Sequence, residues 1–198
     1  MRKLLLAAGL SVFAAGAFAQ ALTGPSPAAS GVAAAGGFSV SPRNFATCGV
    51  SAGAATSMFT DQTPVATEVY AAEVFVPANT TITGVAIRSG SVASGNVKVG
   101  LADVSGNVLK TSASTAVAGA AGVYQRVPFT STYAAAGPAT YFILSFYDNT
   151  TVRGSTHTQG NCGAGKQTGQ TFSTGFVSNA ALAPTTFTAA LGPVASLY

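Results

Sequence analysis

Charged side chains are scarce in this chain, because 5 acidic and 9 basic residues among 198 make up only 7% of the sequence. Soluble domains typically carry about 25%. The surface must therefore be covered largely by Thr, Ser, Asn, Gly and Ala, a composition that suits exported proteins, coats and assemblies. A dense basic face is also missing, which argues against nucleic acid as a partner.

Tryptophan is absent, histidine occurs once and cysteine twice. Without Trp, stacking against a sugar ring would fall to Tyr. His157 and two thiols leave a metal site one ligand short, so we expect neither a metal nor a cofactor. Glu68 and Glu73 are five residues apart, which puts them on opposite faces of a regular strand. A catalytic pair of carboxylates is therefore not expected, and the chain is not predicted to be an enzyme.

The first nineteen residues have the pattern of a secretory signal peptide. Arg2 and Lys3 precede an uncharged apolar run that ends at Phe18, and small residues flank Phe18 just before Gln20. The run of 15 residues is short against the ~20 that a membrane-spanning helix needs. We expect cleavage before Gln20, secretion to the periplasm, the cell surface or the extracellular space, and no membrane span after cleavage.

Three regions follow from this pattern. Residues 1–19 are the predicted signal peptide, residues 20–37 a flexible leader rich in Ala, Gly, Pro and Ser, and residues 38–198 a single domain. The mature domain keeps two cysteines, Cys48 and Cys162. An even pair of cysteines in an oxidising compartment predicts a disulfide, with two buried thiols as the alternative.

Segments of β-strand character recur every ten to fifteen residues from Thr67 onward. Val97, Val99 and Leu101 alternate with Lys98, Gly100 and Ala102, as in a half-buried strand. Residues 141–147 are apolar on both faces, as in a central strand. Turn residues at 103–107 predict a hairpin, and no helical period follows the signal. The sequence therefore predicts an all-β fold, an antiparallel β-sandwich of jelly-roll type. Further strands are predicted at residues 69–76, 82–88, 108–110, 123–129 and 151–156.

Six stretches of the sequence carry a resemblance to a known family. They are Glu73–Ala86, Val99–Asp103, Gly106–Leu109, Gln125–Phe129, Gly137–Phe142 and the ending from Pro184 to Tyr198. Together they resemble β-sandwich domains found in tailed-phage virion proteins and in bacterial surface and secreted proteins. The resemblance implies an accessory or surface-contact module. Because a virion protein is assembled inside the cell, the export signal favours a secreted bacterial version.

Two short motifs resemble catalytic signatures. Gly49–Gly53 fits the G-x-S-x-G pattern around Ser51, and Asp103, Asp148 and His157 follow in hydrolase order. That chemistry needs the serine on a sharp strand-to-helix turn, and no amphipathic helix follows here. We therefore expect that Ser51 is not a nucleophile, and an exported serine hydrolase is a minor alternative.

The second motif is Gly160–Gln167, which is close to a phosphate-binding P-loop. Gln167 occupies the position of the Ser or Thr that holds magnesium, and no helix follows. The match is interpreted as a coincidence within a glycine-rich loop.

Strand alternation divides the side chains into a core and an outer face. The predicted core residues are Val85, Ile87, Val97, Val99, Leu101, Val123, Val127 and Phe129. The opposite parity leaves Arg88, Lys98, Tyr124 and Arg126 outside. If these strands neighbour one another in one sheet, the four side chains form a cationic patch around one aromatic ring. Arginine offers forked hydrogen bonds to carboxylates and Tyr can stack on a sugar, so such a patch suits an acidic polysaccharide. Alternatively, the charges only keep the sheet solvated.

A loop end is the rival location, because loops often hold binding residues. Its residues are Asp148, Asn149, Arg153, His157 and Asn161. The leading hypothesis from the sequence is an exported, non-catalytic module that contacts a polysaccharide or a cell-surface protein. The alternative is a structural subunit of an envelope layer or a phage virion, whose surface serves self-assembly.

Overall fold

The computed structural model describes residues 45–50, 58–158, 162–176 and 182–198. The predicted signal peptide and leader lie outside the described residues, as do Ser51 and Asn161. Among the residues that are described, no helix is long and apolar enough to cross a membrane.

The described chain folds almost entirely into β-strands, which confirms the predicted all-β class. A single turn of 3-10 helix lies at Ala189–Leu191. The strands, in chain order, are β1 Phe59–Gln62, β2 Val69–Val76, β3 Thr80–Arg88, β4 Asn96–Ala102, β5 Val108–Thr111, β6 Thr115–Ala116, β7 Tyr124–Ala135, β8 Ala139–Tyr147, β9 Gly154–His157, β10 Ala164–Gln167, β11 Thr186–Phe187 and β12 Ala195–Leu197.

One layer is a seven-stranded sheet with the order β11-β10-β2-β8-β4-β5, in which β6 also pairs with β4. Every pairing in it is antiparallel. The apolar strand β8 lies between β2 and β4, which confirms its predicted central position. Strands distant in the sequence are thus neighbours, as expected for a sandwich rather than a simple meander.

The second layer joins the three-stranded sheet β12-β3-β7 to the pair β1-β9. Val194 N donates to Ser155 O at 2.9 Å, and His157 N donates to Gly192 O at 3.1 Å. These bonds attach β9 to the segment that precedes β12. The five strands therefore form one face opposite the seven-stranded sheet.

The core lies between the two layers and contains the alternate residues that period-two patterning predicts. Val85, Ile87 and Val127 of the second layer pack in one cluster with Val99 and Ile143 of the seven-stranded sheet. Burying a side chain of this size stabilises the fold by roughly 1.5–3 kcal/mol. A second apolar cluster, which includes Leu144, Phe146, Phe176 and Leu182, covers the other face of the seven-stranded sheet. That sheet is consequently buried on both sides.

Several sequence predictions need correction. Val123 was expected in the core but is 51% exposed, because it precedes β7 and lies outside the alternating pattern of that strand. The predicted glycine-rich loop contains β10, which pairs with β2. Strands β1, β6, β11 and β12 are not predicted by hydrophobic period, since they are short and consist mostly of polar or small residues.

The predicted disulfide is present between Cys48 and Cys162, whose Cα atoms are 5.0 Å apart. Both ends of the bridge dock on Glu73 of β2: Cys48 N donates to Glu73 O at 2.9 Å, and Glu73 N donates to Gly163 O at 2.8 Å. The bridge thus attaches residues 45–50 and the start of β10 to a central strand. A disulfide of this kind is compatible with an oxidising extracellular or periplasmic environment.

Candidate functional sites on the outer face and between the layers

The outer face of the second layer brings three of the four predicted patch residues together. Arg88 pairs directly with Tyr124, and Arg126 pairs with Ala86 across the β3–β7 ladder. Because side chains alternate along a strand, all three point away from the core. Arg88 and Arg126 are diagonal neighbours, about 7–8 Å apart. We call Arg88, Tyr124, Arg126 and the adjacent Tyr198 the cationic face.

Lys98 does not belong to this face. It lies on β4, which pairs with β5, β6 and β8 in the seven-stranded sheet. Its Nζ donates to Phe172 O at 2.7 Å and lies 4.7 Å from the centre of the Phe172 ring. The prediction of a single four-residue patch is therefore wrong for Lys98, because β4 and β7 are in different layers.

Tyr198 is a member of the cationic face that the sequence did not reveal. The Cζ atom of Arg126 lies 4.9 Å from the centre of the Tyr198 ring, within range of a cation–π interaction. A Cβ at Gly84 would come within 2.6 Å of the Tyr198 hydroxyl oxygen, so the missing side chain of Gly84 makes room for the ring. Alternation from the buried Leu197 puts the side chain of Tyr198 on the outer face. The sequence does not predict strand β12, however, so alternation could not be applied to Tyr198 from the sequence.

Arg88 is held in place by two contacts. Its Nη1 donates to Ser155 Oγ at 2.8 Å, and its Cζ lies 4.6 Å from the centre of the Phe59 ring. Burial raises the pKa of the neighbouring Tyr124, while Arg88 opposes that shift. Tyr124 therefore carries a protonated hydroxyl that can donate a hydrogen bond. A guanidinium held in this way loses less entropy when it binds.

The cationic face has unbalanced charge. In the part of the chain that the structure describes, the ion pair is between Lys166 and Glu68, so Arg88 and Arg126 lack a carboxylate partner there. A cleft of about 250 Å³ beside Arg88 is also lined by Asp61. Asp61 accepts a hydrogen bond from Ser91 N at 3.1 Å and would repel an anion in that cleft. An anionic ligand is consequently favoured on the Arg126 side.

The rival loop residues serve the loop itself. Asp148 Oδ1 accepts from Asn96 N at 2.8 Å, and Asn149 Oδ1 accepts from the backbone of Thr151 and Val152 at 2.9 Å each. Burial raises the pKa of Asp148, but hydrogen bonds from Asn96 and Asn149 outweigh it and hold the pKa below its usual value. These two side chains close the turn between β8 and β9 and have little capacity left for a ligand.

His157 is buried rather than presented by a loop, with 1% of its surface exposed. Its Nε2 lies 2.8 Å from Thr47 Oγ1, which also lies 2.9 Å from Pro193 O and 3.1 Å from Ala195 O. The Thr47 hydroxyl has one proton for these three neighbours, so the donor in its bond with His157 Nε2 is set by the tautomer of the imidazole. Burial lowers the pKa of His157 to about 4. The loop prediction is therefore wrong for this residue.

The same geometry gives no support to the hydrolase alternative. His157 Nε2 is already hydrogen-bonded to Thr47 Oγ1, and Asp103 Oδ1 accepts from Ser105 N and Asn107 N at 2.8 and 2.9 Å within its own turn. Arg153 of the loop set is half-buried, and its backbone bonds to Val92 and Gly90. Across the described ranges, no group of three His, Cys, Asp or Glu side chains could hold a metal ion.

A cavity of about 150 Å³ opens between the layers at one end of the sandwich. Its polar members come from adjacent strands, since Tyr70 on β2 pairs with both Lys166 on β10 and Ser145 on β8. The set that we call the polar cavity is Glu68, Tyr70, Ser145, Tyr147, Thr156 and Lys166.

An ion pair and a hydrogen-bond chain organise one wall of the polar cavity. Lys166 Nζ lies 2.7 Å from Glu68 Oε1, and Tyr70 donates to Glu68 Oε2 at 2.7 Å. Val65 N donates to the Tyr70 hydroxyl at 2.9 Å. Burial, and then the Glu68 hydrogen bond, raise the pKa of Tyr70. No sequence motif marks this wall, because Lys166 lies in the apparent P-loop motif and Glu68 precedes the predicted strand at residues 69–76.

No protein-family model matches the sequence, and neither a curated protein nor a solved structure matches it.

Proposed function

We propose that the protein is an exported, non-catalytic module that binds an acidic polysaccharide through the cationic face. The observation that carries the proposal is the β3–β7 register, which aligns Arg88 with Tyr124 and puts Arg126 diagonal to Arg88. Two guanidinium groups without carboxylate partners among the described residues thus flank a tyrosine. The resemblance to surface-contact β-sandwich domains belongs to the same proposal.

The chemistry of a uronic-acid polymer fits this arrangement. Each guanidinium offers a planar fork of donors that matches a carboxylate. Tyr124 and Tyr198 offer ring surfaces for the apolar face of a sugar, and Arg126 is the exposed member of the set. Repeating carboxylates along a polysaccharide would engage both arginines at once, which raises the avidity without further contacts.

Export is supported by two independent features. The N-terminal sequence has the signal-peptide pattern, and the Cys48–Cys162 bridge is compatible with an oxidising compartment. A surface that carries few charges also suits the outside of a cell better than a crowded cytosol. The proposed location is the cell surface, the periplasm or the extracellular medium.

A glycan array tests the proposal, followed by titration of the bound glycans at two salt concentrations. We expect polymers of uronic acids to bind, neutral glucans not to bind, and affinity to fall as salt rises. Arg126→Ala and Tyr124→Ala should each weaken binding, by about tenfold for the arginine. Lys110→Ala is the matched control, because it also removes one positive charge, on β5. The Nζ of Lys110 donates to Ser131 Oγ. Equal losses in Arg126→Ala and Lys110→Ala would show only general charge attraction and contradict the assigned face.

A structural subunit is the second candidate, and an apolar groove favours it. On the outer side of the seven-stranded sheet, a groove of about 280 Å³ is lined by Val104, Phe142 and Phe187. Phe187 is 73% exposed and Val104 is 68% exposed. Light scattering at rising concentration tests self-association, which Phe187→Ser should reduce. Failure of every glycan to bind, together with concentration-dependent growth, would put this candidate ahead.

A further inference from the structure

The inner face of the seven-stranded sheet changes character towards one end. Val74 and Ile143 contribute apolar side chains to the core, whereas Tyr70, Ser145 and Lys166 form a polar row across three adjacent strands. Burying hydroxyl groups between two sheets costs free energy unless each one finds a hydrogen-bond partner. A polar row inside a sandwich therefore points to something besides the packing of the sheets.

The ion pair in the polar cavity is neutral overall and leaves donors free. Both oxygens of Glu68 are engaged, one by Lys166 and one by Tyr70. Lys166 has three protons on its ammonium group, and its side chain is 24% exposed. A ligand that enters therefore meets hydrogen-bonding groups without a net charge to neutralise, which disfavours an ionised ligand.

Thr156 contributes a buried hydroxyl group to the polar cavity. The residue is 8% exposed, and its Oγ1 makes no hydrogen bond among the described residues. On β9 the neighbouring Ser155 bonds to Arg88 of the outer face, so alternation turns Thr156 inward. Gly154 shares that inward side, where a Cβ would lie only 3.1 Å from the hydroxyl oxygen of Tyr147. An unpaired buried hydroxyl requires an explanation, and a ligand that fills the cavity supplies one.

Tyr147 adds a second hydroxyl to the same space. Burial raises its pKa, which keeps the phenol protonated and able to donate. Apolar side chains also line the cavity, among them Pro64, Leu191 and Pro193. Exposed Thr63 and Val65 lie at the margin, so the cavity is open to solvent there.

We propose that the polar cavity is a second binding site, which takes a neutral, hydroxyl-bearing six-membered ring such as one sugar residue or a cyclic polyol. A cavity of about 150 Å³ is as large as an apolar cavity that holds one benzene ring, and its open margin at Thr63 and Val65 leaves room for hydroxyl groups on such a ring. The ring's apolar surface packs on Leu191 and Pro193, and its hydroxyl groups bond to Thr156 and Tyr147. This site is independent of the cationic face, which takes charged groups.

In the experiment, the mature, oxidised protein is titrated with a panel of neutral monosaccharides and inositol, and binding is measured by NMR and by calorimetry. Glucuronate is included as a charged counterpart. Disaccharides test whether the site binds a free monosaccharide or the terminal residue of a glycan chain. We expect at least one neutral ring to bind and to shift the amide resonances of β9, Thr63 and Val65. Glucuronate should bind more weakly at this site.

Thr156→Val is the decisive variant, since valine keeps the shape and removes the hydroxyl. Because no described residue hydrogen-bonds to that hydroxyl, the variant should keep or raise the melting temperature while affinity falls about tenfold. Thr140→Val, at an exposed position of β8, is the matched control and should leave affinity unchanged. Gly154→Ala narrows the cavity and should also weaken binding. Absence of binding across the panel, an adventitious water at Thr156 only, or unchanged affinity in both cavity variants would overturn the proposal.

Discussion

Removing the Cys48–Cys162 bridge should destabilise the protein by several kcal/mol without changing the folded state. The bridge closes a sequence separation of 114 residues. In the chain-entropy treatment of the unfolded state, a loop of that length contributes about 4.8 kcal/mol. That amount is a large part of the 5–15 kcal/mol that typically stabilises a domain.

The structure indicates why the folded state should change little. Cys48 and Gly163 are both hydrogen-bonded to the backbone of Glu73, so the two ends stay together when the bridge is absent. Thr47 is fixed in addition by the bond from its N to Ala195 O at 2.8 Å. Substituting both cysteines by serine should therefore act mainly through the unfolded chain, which becomes freer to expand.

Equilibrium urea unfolding, followed by circular dichroism, measures the effect in three samples. They are the oxidised protein, the same protein with reductant, and the Cys48→Ser/Cys162→Ser double variant. We expect the last two to lose the same 4–5 kcal/mol and to show a larger m value, because the unfolded chain exposes more surface. Reductant should not affect the double variant. A loss below about 2 kcal/mol would refute the loop-entropy reasoning.

Three further predictions concern the buried polar groups and the N-terminus. Because the pKa of His157 is lowered in the folded protein, the unfolded chain binds a proton more readily. The free energy of unfolding should therefore fall by about 3 kcal/mol in total as the pH is lowered from 6.5 to about 4. The His157→Gln variant, unfolded at several pH values, should not show that dependence. Lys166→Met leaves Glu68 without its cation and should cost about 2–4 kcal/mol in thermal unfolding, whereas Lys110→Met should change little. The intact mass of exported protein should match a chain that starts at Gln20. Exported protein that still carries Met1 would contradict the predicted cleavage.

Hydrophobic alternation predicted the strands that face the core and failed where that signal is weak. Residues 69–76 form β2 with the predicted bounds, and Val97, Val99 and Leu101 are buried as their period required. By contrast, β10 consists of Ala164, Gly165, Lys166 and Gln167, which have no apolar period. This strand exists because the backbone pairs with β2 on one side and β11 on the other. Long-range pairing of that kind leaves no mark in a local pattern.

The same limit applies to the sites. Arg88, Tyr124 and Arg126 could be assigned to an outer face because alternation fixes the side of the sheet on which each side chain lies. That they share one sheet follows from the β3–β7 register, which joins strands distant in the sequence. Lys98 has the same local pattern, and only the topology separates it from them. Lys166 and Glu68 are 98 residues apart in the chain, so their ion pair follows from the β2–β10 register and not from any motif.

Strand β9 contributes to both candidate sites, and its geometry makes them separable. Ser155 accepts a hydrogen bond from Arg88 on the outer face, whereas Thr156 lines the cavity on the inner face. Consecutive residues of a strand point to opposite sides. Ser155→Ala should therefore loosen Arg88 and lower the affinity for acidic glycans, while the affinity for neutral rings stays the same. Thr156→Val should do the reverse. If either single substitution weakened both ligand classes equally, the two ligands would share one site, and the division into an outer anionic-glycan site and an inner neutral-ring site would be wrong.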